Sequence, residues 1–112
     1  MIEVIEVVTT TEEQEEAERI AASLLDQQLA ACIQISGPIK SIYRWQGKVE
    51  QAHEWEVKIK TRGELYKQVE SVIRSTHSYD EPQILAIGIE EGSDGYLKWI
   101  EAETNTSARE SD

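Results

Sequence analysis

The side chains best suited to chemistry lie between His77 and Asp80, where an imidazole, a hydroxyl, a phenol and a carboxylate follow one another. Imidazole nitrogens and carboxylate oxygens are common metal ligands, so this segment is the best local candidate for a metal site. A structural alternative stays open, because polar residues of this kind also end helices without binding a ligand. The single cysteine, Cys32, heads an apolar strand, where free cysteine usually behaves as a small buried hydrophobe.

Enzymatic signatures are missing from the sequence, which has no Gly-rich phosphate loop, metalloprotease helix pair or Gly-x-Ser-x-Gly elbow. A cysteine nucleophile would need Cys32 beside His53 or His77 and a third orienting group. A four-ligand zinc site within one chain needs more Cys and His than one Cys and two His. We therefore predict that the protein is not an enzyme and needs no organic cofactor.

The charge balance restricts the partners. The 112 residues include 22 acids and 11 bases, which gives a net charge of −11. Such a charge repels phosphate backbones and anionic lipids, so we predict no nucleic-acid or membrane partner. Met1 to Val4 enters an alternating strand at once, which predicts no signal peptide, and a single cysteine fits a reducing compartment. We expect a cytoplasmic protein, in which Lys60 is the one candidate anion contact.

Hydrophobic periodicity predicts the order β-α-β-β-α-β followed by a short helix. The predicted strands cover residues 2–9, 31–45 (interrupted at 37–38), 48–60 and 83–90, and the predicted helices cover 12–29, 64–76 and 96–103. Thr11 with Gln14, or Thr10 with Glu13, predicts a capping box on the first helix, and Asp94 is the candidate cap of the last.

This order is the split βαβ, or ferredoxin-like, arrangement of the α+β class, with both crossover helices on one face of an antiparallel sheet. We predict one domain over residues 1–103 and a polar, disordered tail over residues 104–112.

The central hairpin is too long for a domain of this size to cover. Its arms flank a tight Gln46-Gly47 turn and run for roughly a dozen residues, against the usual 5–6 of a strand. The arms carry Tyr43, Trp45 and Trp55. Long exposed edges with aromatic residues are pairing surfaces, so we predict that this hairpin is an intersubunit arm.

Several blocks of the chain resemble the CutA divalent-cation tolerance proteins. The resemblance extends in order and spacing from about residue 3 to residue 101 and leaves out the polar tail. The blocks that carry it are Leu29–Cys32, Ser41–Glu50, Lys58–Thr61, His77–Pro82 and Tyr96–Ile100. The resemblance implies a ferredoxin-like subunit in a very stable homotrimer, with the long hairpin arms packed between subunits.

The same resemblance implies a role in tolerance of copper and other divalent metals. By position, Cys32 matches the family's recurrent cysteine and His77 its recurrent histidine, so these two are the expected ligands of copper or another divalent ion. The bacterial pattern adds a cysteine where this chain has Thr9 and a histidine where it has Thr76, which leaves this chain few soft ligands.

Two alternatives to metal-ion homeostasis stay open. The fold also resembles the PII signalling trimers, which bind small ligands between subunits, and a cleft of that kind would use Trp45, Lys60 and Tyr79. The other alternative is a trimeric scaffold for a protein partner. Architecture alone does not choose among these functions.

Overall fold

A computed structural model describes residues 3–105 and has the predicted order of elements with one added turn. The strands are β1 (Val4–Thr11), β2 (Cys32–Trp45), β3 (Lys48–Arg62) and β4 (Ile84–Gly88); the helices are α1 (Gln14–Asp26), α2 (Tyr66–Thr76) and α3 (Asp94–Glu103); a 3-10 turn, Gly63–Leu65, precedes α2. The sheet order is β2-β3-β1-β4, and all neighbouring strands are antiparallel. The ferredoxin-like α+β fold is therefore confirmed.

The core lies between one face of the sheet and helices α1 and α2. Alternation along β3 places Val57 and Ile59 on this face, where both are completely buried. The helices contribute apolar stripes at helical spacing, which include Ile20 and Leu24 of α1 and Val69 and Ile73 of α2. Within residues 3–105, no helix is long and apolar enough to cross a membrane.

The predicted helix caps are wrong. β1 continues to Thr11, whose hydroxyl donates to the Glu13 carbonyl at 2.8 Å instead of capping α1. No side-chain cap bond forms at Glu13, the residue that precedes α1. At α3 the cap is Ser93, whose hydroxyl accepts from the Tyr96 N–H at 3.4 Å, and Asp94 is already the first helical residue.

Several predicted element ends also differ from the structure. The first helix stops at Asp26 rather than continuing to Leu29, because the left-handed backbone of Gln28 (φ 57°) ends it. The last strand, Ile84–Gly88, is shorter than predicted at both ends.

The predicted interruption of the second strand is a register shift inside one continuous β2. The shift lies between Ser36 and Ile39 in the pairing with β3. Gly37 sits within it, and a Cβ at this position would lie 2.7 Å from the Trp55 ring. The backbone can approach the indole this closely only at glycine.

The predicted tail begins too early. Thr104 is buried, and its hydroxyl accepts from the Arg62 guanidinium at 3.0 Å. The backbone N–H of Asn105 donates to the Gln28 carbonyl at 2.9 Å. These two residues are therefore packed against the domain, and the rest of the predicted tail, 106–112, lies outside the described residues.

Candidate functional site

His77 lies at the end of α2, and its side chain is completely buried. Its Nε2 is 2.7 Å from the carbonyl oxygen of Thr10, and because a carbonyl can only accept, Nε2 carries the proton. The other ring nitrogen, Nδ1, accepts from the backbone N–H of Tyr79 at 3.1 Å. Both ring nitrogens are thus engaged within the chain, which is the arrangement of a structural histidine.

Glu16 ties the loop after α2 to α1. The side chain is buried, and its carboxylate accepts from the backbone N–H of Ser78 at 2.5 Å and from the Ser78 hydroxyl at 3.2 Å. The neighbouring acids at the start of α1, Glu13 and Glu15, are exposed, whereas Glu16 faces the interior. We call the contacts of His77 and Glu16 the loop clasp, because together they fix the loop to β1 and α1.

The loop that these contacts fix places Tyr79 beside the carboxylate of Glu54 on β3. The Tyr79 hydroxyl donates to Oε2 of Glu54 at 2.9 Å, while the Ser41 hydroxyl donates to Oε1 at 2.5 Å. Glu54 is only 8% exposed, and no ion pair within residues 3–105 involves it. Burial, followed by the hydrogen bond to Glu54, raises the pKa of Tyr79 well above its usual value, so the phenol stays a donor.

Glu54 and Tyr79 line an open cavity of about 810 Å³ at the base of the hairpin. The hairpin side contributes Tyr43 and Trp45, and the loop side contributes Asp80 and its neighbours up to residue 83. None of the described residues that line the cavity is basic. The cavity therefore presents to a ligand the buried carboxylate of Glu54, the hydroxyls of Ser41 and Tyr79, and aromatic rings.

Of the three residues predicted for a ligand cleft, Trp45 and Tyr79 meet at this cavity and Lys60 does not. The ammonium of Lys60 lies 3.4 Å from Glu6 and 2.8 Å from the Gln34 side-chain oxygen. Lys60 lies six positions along β3 from Glu54, a span of about 20 Å. A site that unites all three between subunits stays a prediction.

The two predicted metal ligands lie apart in the single chain. Cys32 pairs with Lys60 in the register of β2 and β3, whereas His77 contacts Thr10, which pairs with Glu56. These positions on β3 are about 13 Å apart. The Cys32 thiol instead lies against Tyr96 of α3, whose pKa is raised first by burial and then by this cysteine. Within residues 3–105, no group of three or more His, Cys, Asp or Glu could hold a metal ion.

Sequence reasoning missed Glu16 and Glu54 as residues of this region. Glu16 carried a usable signal, because it lies four residues before Ile20 and so on the buried stripe of α1. Glu54 carried no such signal, because it shares its face of β3 with other charged residues such as Glu56 and Lys58 and its burial depends on a loop that is distant in sequence.

Residues 5–103 match the sequence model of the family described as CutA1 divalent ion tolerance protein. The chain belongs to this family. A divalent-cation tolerance protein CutA from Archaeoglobus fulgidus is 48% identical over 87 residues, which are 78% of this chain and 84% of that protein. A chloroplastic CutA from Arabidopsis thaliana is 37% identical over 100 residues, or 89% of this chain, which spans only 55% of that longer protein.

Solved structures of the CutA1 family have the same fold. The crystal structure of CutA1 from Oryza sativa superposes with a TM-score of 0.92 at 35% identity, covering 95% of this chain and 97% of that one. The Archaeoglobus fulgidus protein, described as a periplasmic divalent cation tolerance protein, gives a TM-score of 0.88 at 42% identity, covering 91% of this chain and 99% of that one. Because relatives are described as chloroplastic and periplasmic, the cytoplasmic location of this chain stays a prediction.

The loop clasp predicts an unequal effect of two neighbouring acids on stability. Glu16→Ala removes a buried carboxylate that accepts hydrogen bonds from the Ser78 N–H and hydroxyl, so we expect the free energy of unfolding to fall by about 1–3 kcal/mol. The matched control is Glu15→Ala in the same helical turn, whose side chain is exposed and which should change stability by less than about 0.5 kcal/mol. Urea unfolding measures both, and equal effects of the two substitutions would contradict the clasp.

Proposed function

We propose that this protein acts in the tolerance of divalent cations as a homotrimer whose β2–β3 arms pack between subunits. The observation that carries the proposal is the pairing of β3. Its partner β1 reaches only from Val4, opposite Arg62, to Thr11, opposite Trp55. The rest of β3, from Lys48 to Glu54, pairs with β2 alone and forms a two-stranded arm.

This arm carries exposed apolar residues on both faces. In the register of the hairpin, Ile42 and Val49 share one face, where they are 63% and 62% exposed. Tyr43 and Trp45 share the other face, where they are 44% and 59% exposed. A two-stranded hairpin is marginal in water, and apolar surface on both faces favours burial against further copies. The number of three subunits comes from the resemblance to the CutA proteins.

For the metal, copper or another divalent ion, the proposed ligands are His77 and Cys32. Nε2 of His77 carries the proton that it donates to the Thr10 carbonyl, so only Nδ1 can bind the ion. To do so, Nδ1 must give up the hydrogen bond that it accepts from the backbone N–H of Tyr79. Because the single chain separates the two ligands, an ion that both bind would lie between subunits. The family's description supports a role with divalent ions without naming the ligands.

A small-ligand sensor is the second candidate function, and the cavity beside Glu54 favours it. This cavity unites Trp45 and Tyr79, two of the three predicted cleft residues. The scaffold hypothesis has no comparable support and stays a prediction.

The assembly is tested by placing a charge on the exposed arm. We expect Ile42→Glu and Val49→Glu to dissociate the trimer, because each would bury a carboxylate without a partner in the interface. The control is Leu25→Glu on α1, which replaces another exposed apolar residue (45%) away from the arm. Light scattering of the purified proteins measures the mass. A wild-type protein with the mass of one chain would refute the proposal, as would arm variants that keep the wild-type mass.

The metal role is tested by titrating the metal-free protein with Cu(I), Cu(II) and Zn(II) against a competing chelator. We expect saturable binding that weakens by about tenfold or more in His77→Gln and in Cys32→Ser, which corresponds to about 1.4 kcal/mol. His77→Gln keeps a side-chain donor for the Thr10 carbonyl, and His53→Gln is the matched control because His53 is exposed. Weak binding that no substitution changes would contradict a site at His77 and Cys32. It would show that the acidic surface attracts metal ions non-specifically.

A further inference from the structure

We infer that Glu54 of each copy is neutralised by Arg44 of a neighbouring copy, whose hairpin arm packs against the cavity at the base of the next arm. The inference rests on the proposed homotrimer and deepens it, because it names a residue that one copy contributes to another. It places a neighbouring chain, instead of a small ligand, beside Glu54.

The first step is a buried acid without a cation. Glu54 is more than nine-tenths buried, and its hydrogen-bond donors are two neutral hydroxyls, those of Ser41 and Tyr79. No residue among 3–105 forms an ion pair with Glu54, and none of the described residues that line the cavity is basic. A buried carboxylate is costly unless a cation neutralises it, so the single chain lacks the cation that this position favours.

The second step is the charge on the two faces of the arm, which alternation along the paired strands defines. The face that contains Glu54 also carries Glu50 and a single base, Lys48. Asp80 and Glu81 add two further acids to the cavity beside it. We call this the acidic face.

The opposite face of the arm is cationic. Between residues 39 and 54 it carries Lys40, Arg44 and His53 and no acid. All three residues are exposed in the single chain, and none of them forms an ion pair within residues 3–105. The arm therefore presents bases on one face and acids on the other.

The third step is the way in which such arms pack. Two arms that met through the same face would bring like charges together, which is unfavourable. The cationic face of one copy instead complements the acidic face of the next, and head-to-tail contacts of this kind close into a ring when the rotation allows it. Such a ring covers both faces of every arm, which accounts for the exposed apolar residues on both.

Position and chemistry select Arg44 as the base that meets Glu54. Arg44 lies four positions further from the end of β1 than Lys40, or about 13 Å, in the projecting part of the arm. This is the part that extends furthest toward a neighbouring copy. A guanidinium also matches the two oxygens of a carboxylate, each of which retains a lone pair after it accepts one hydroxyl.

The experiment is a double-mutant cycle on the full chain, with Glu54→Gln, Arg44→Met and the variant that combines them. Light scattering measures the mass during dilution, in a urea concentration at which half of the wild-type assembly dissociates. We expect each single substitution to lower the association constant by at least about tenfold, because each leaves one charge buried and unpaired. The combined variant should lose much less than the product of the two losses, because neither charge remains.

Two further cycles are controls for the choice of partners. Glu50 lies on the same face as Glu54 but is exposed, so Glu50→Gln and Arg44→Met should combine without coupling. Lys40 shares the face of Arg44, and Lys40→Met and Glu54→Gln should also combine without coupling. Coupling in either control cycle that equals the coupling of Glu54 with Arg44 overturns the assignment of the pair.

Substitutions of Arg44 alone keep the inference testable if Glu54→Gln does not fold, because Arg44 is exposed in the single chain. Arg44→Lys keeps the charge and should retain more of the association than Arg44→Met, whereas Arg44→Glu should lose the most by repulsion from Glu54. Arg19→Met, at an exposed arginine of α1, should leave the association unchanged. An association constant that no Arg44 substitution lowers overturns the inference.

The same measurements separate this inference from the proposed assembly. A wild-type protein that assembles, with losses that simply multiply in the cycle of Glu54 and Arg44, refutes the ion pair alone. A wild-type protein with the mass of one chain refutes the assembly, and the ion pair with it, before any variant is compared.

Discussion

The structure depends on where β1 ends. β1 stops at Thr11, opposite Trp55, while β3 continues to Lys48 with only β2 beside it. One part of β3 is therefore a central strand of a packed sheet, and the other part is half of a two-stranded arm. The exposed apolar residues of the arm and the cavity beside Glu54 both follow from this change in pairing.

The loop clasp connects this junction to the helical layer. His77 binds the backbone of β1, Glu16 of α1 binds Ser78, and Tyr79 then reaches Glu54 at the base of the arm. His77 thus has a structural task whether or not it also meets a metal ion.

Element order and core could be predicted from the sequence because alternation in β3 and the apolar stripe of α2 record burial directly. The caps could not, because Thr11 is used by the sheet before it can cap α1. Nor could the burial of Glu54, which depends on Ser41 of the neighbouring strand and on Tyr79 from a distant loop. Of the three residues predicted for a ligand cleft, Trp45 and Tyr79 line one cavity of the chain, whereas Lys60 contacts Glu6 near the far end of β3.

The most direct test of the account is hydrogen exchange of the backbone amides between residues 39 and 54, followed as the protein is diluted. If the arm is covered by other copies, these amides are protected at high concentration and lose protection as the oligomer dissociates, while Val57 and Ile59 in the core stay protected. Arm amides that exchange rapidly at every concentration, beside a protected core, would show a hairpin that no other copy supports.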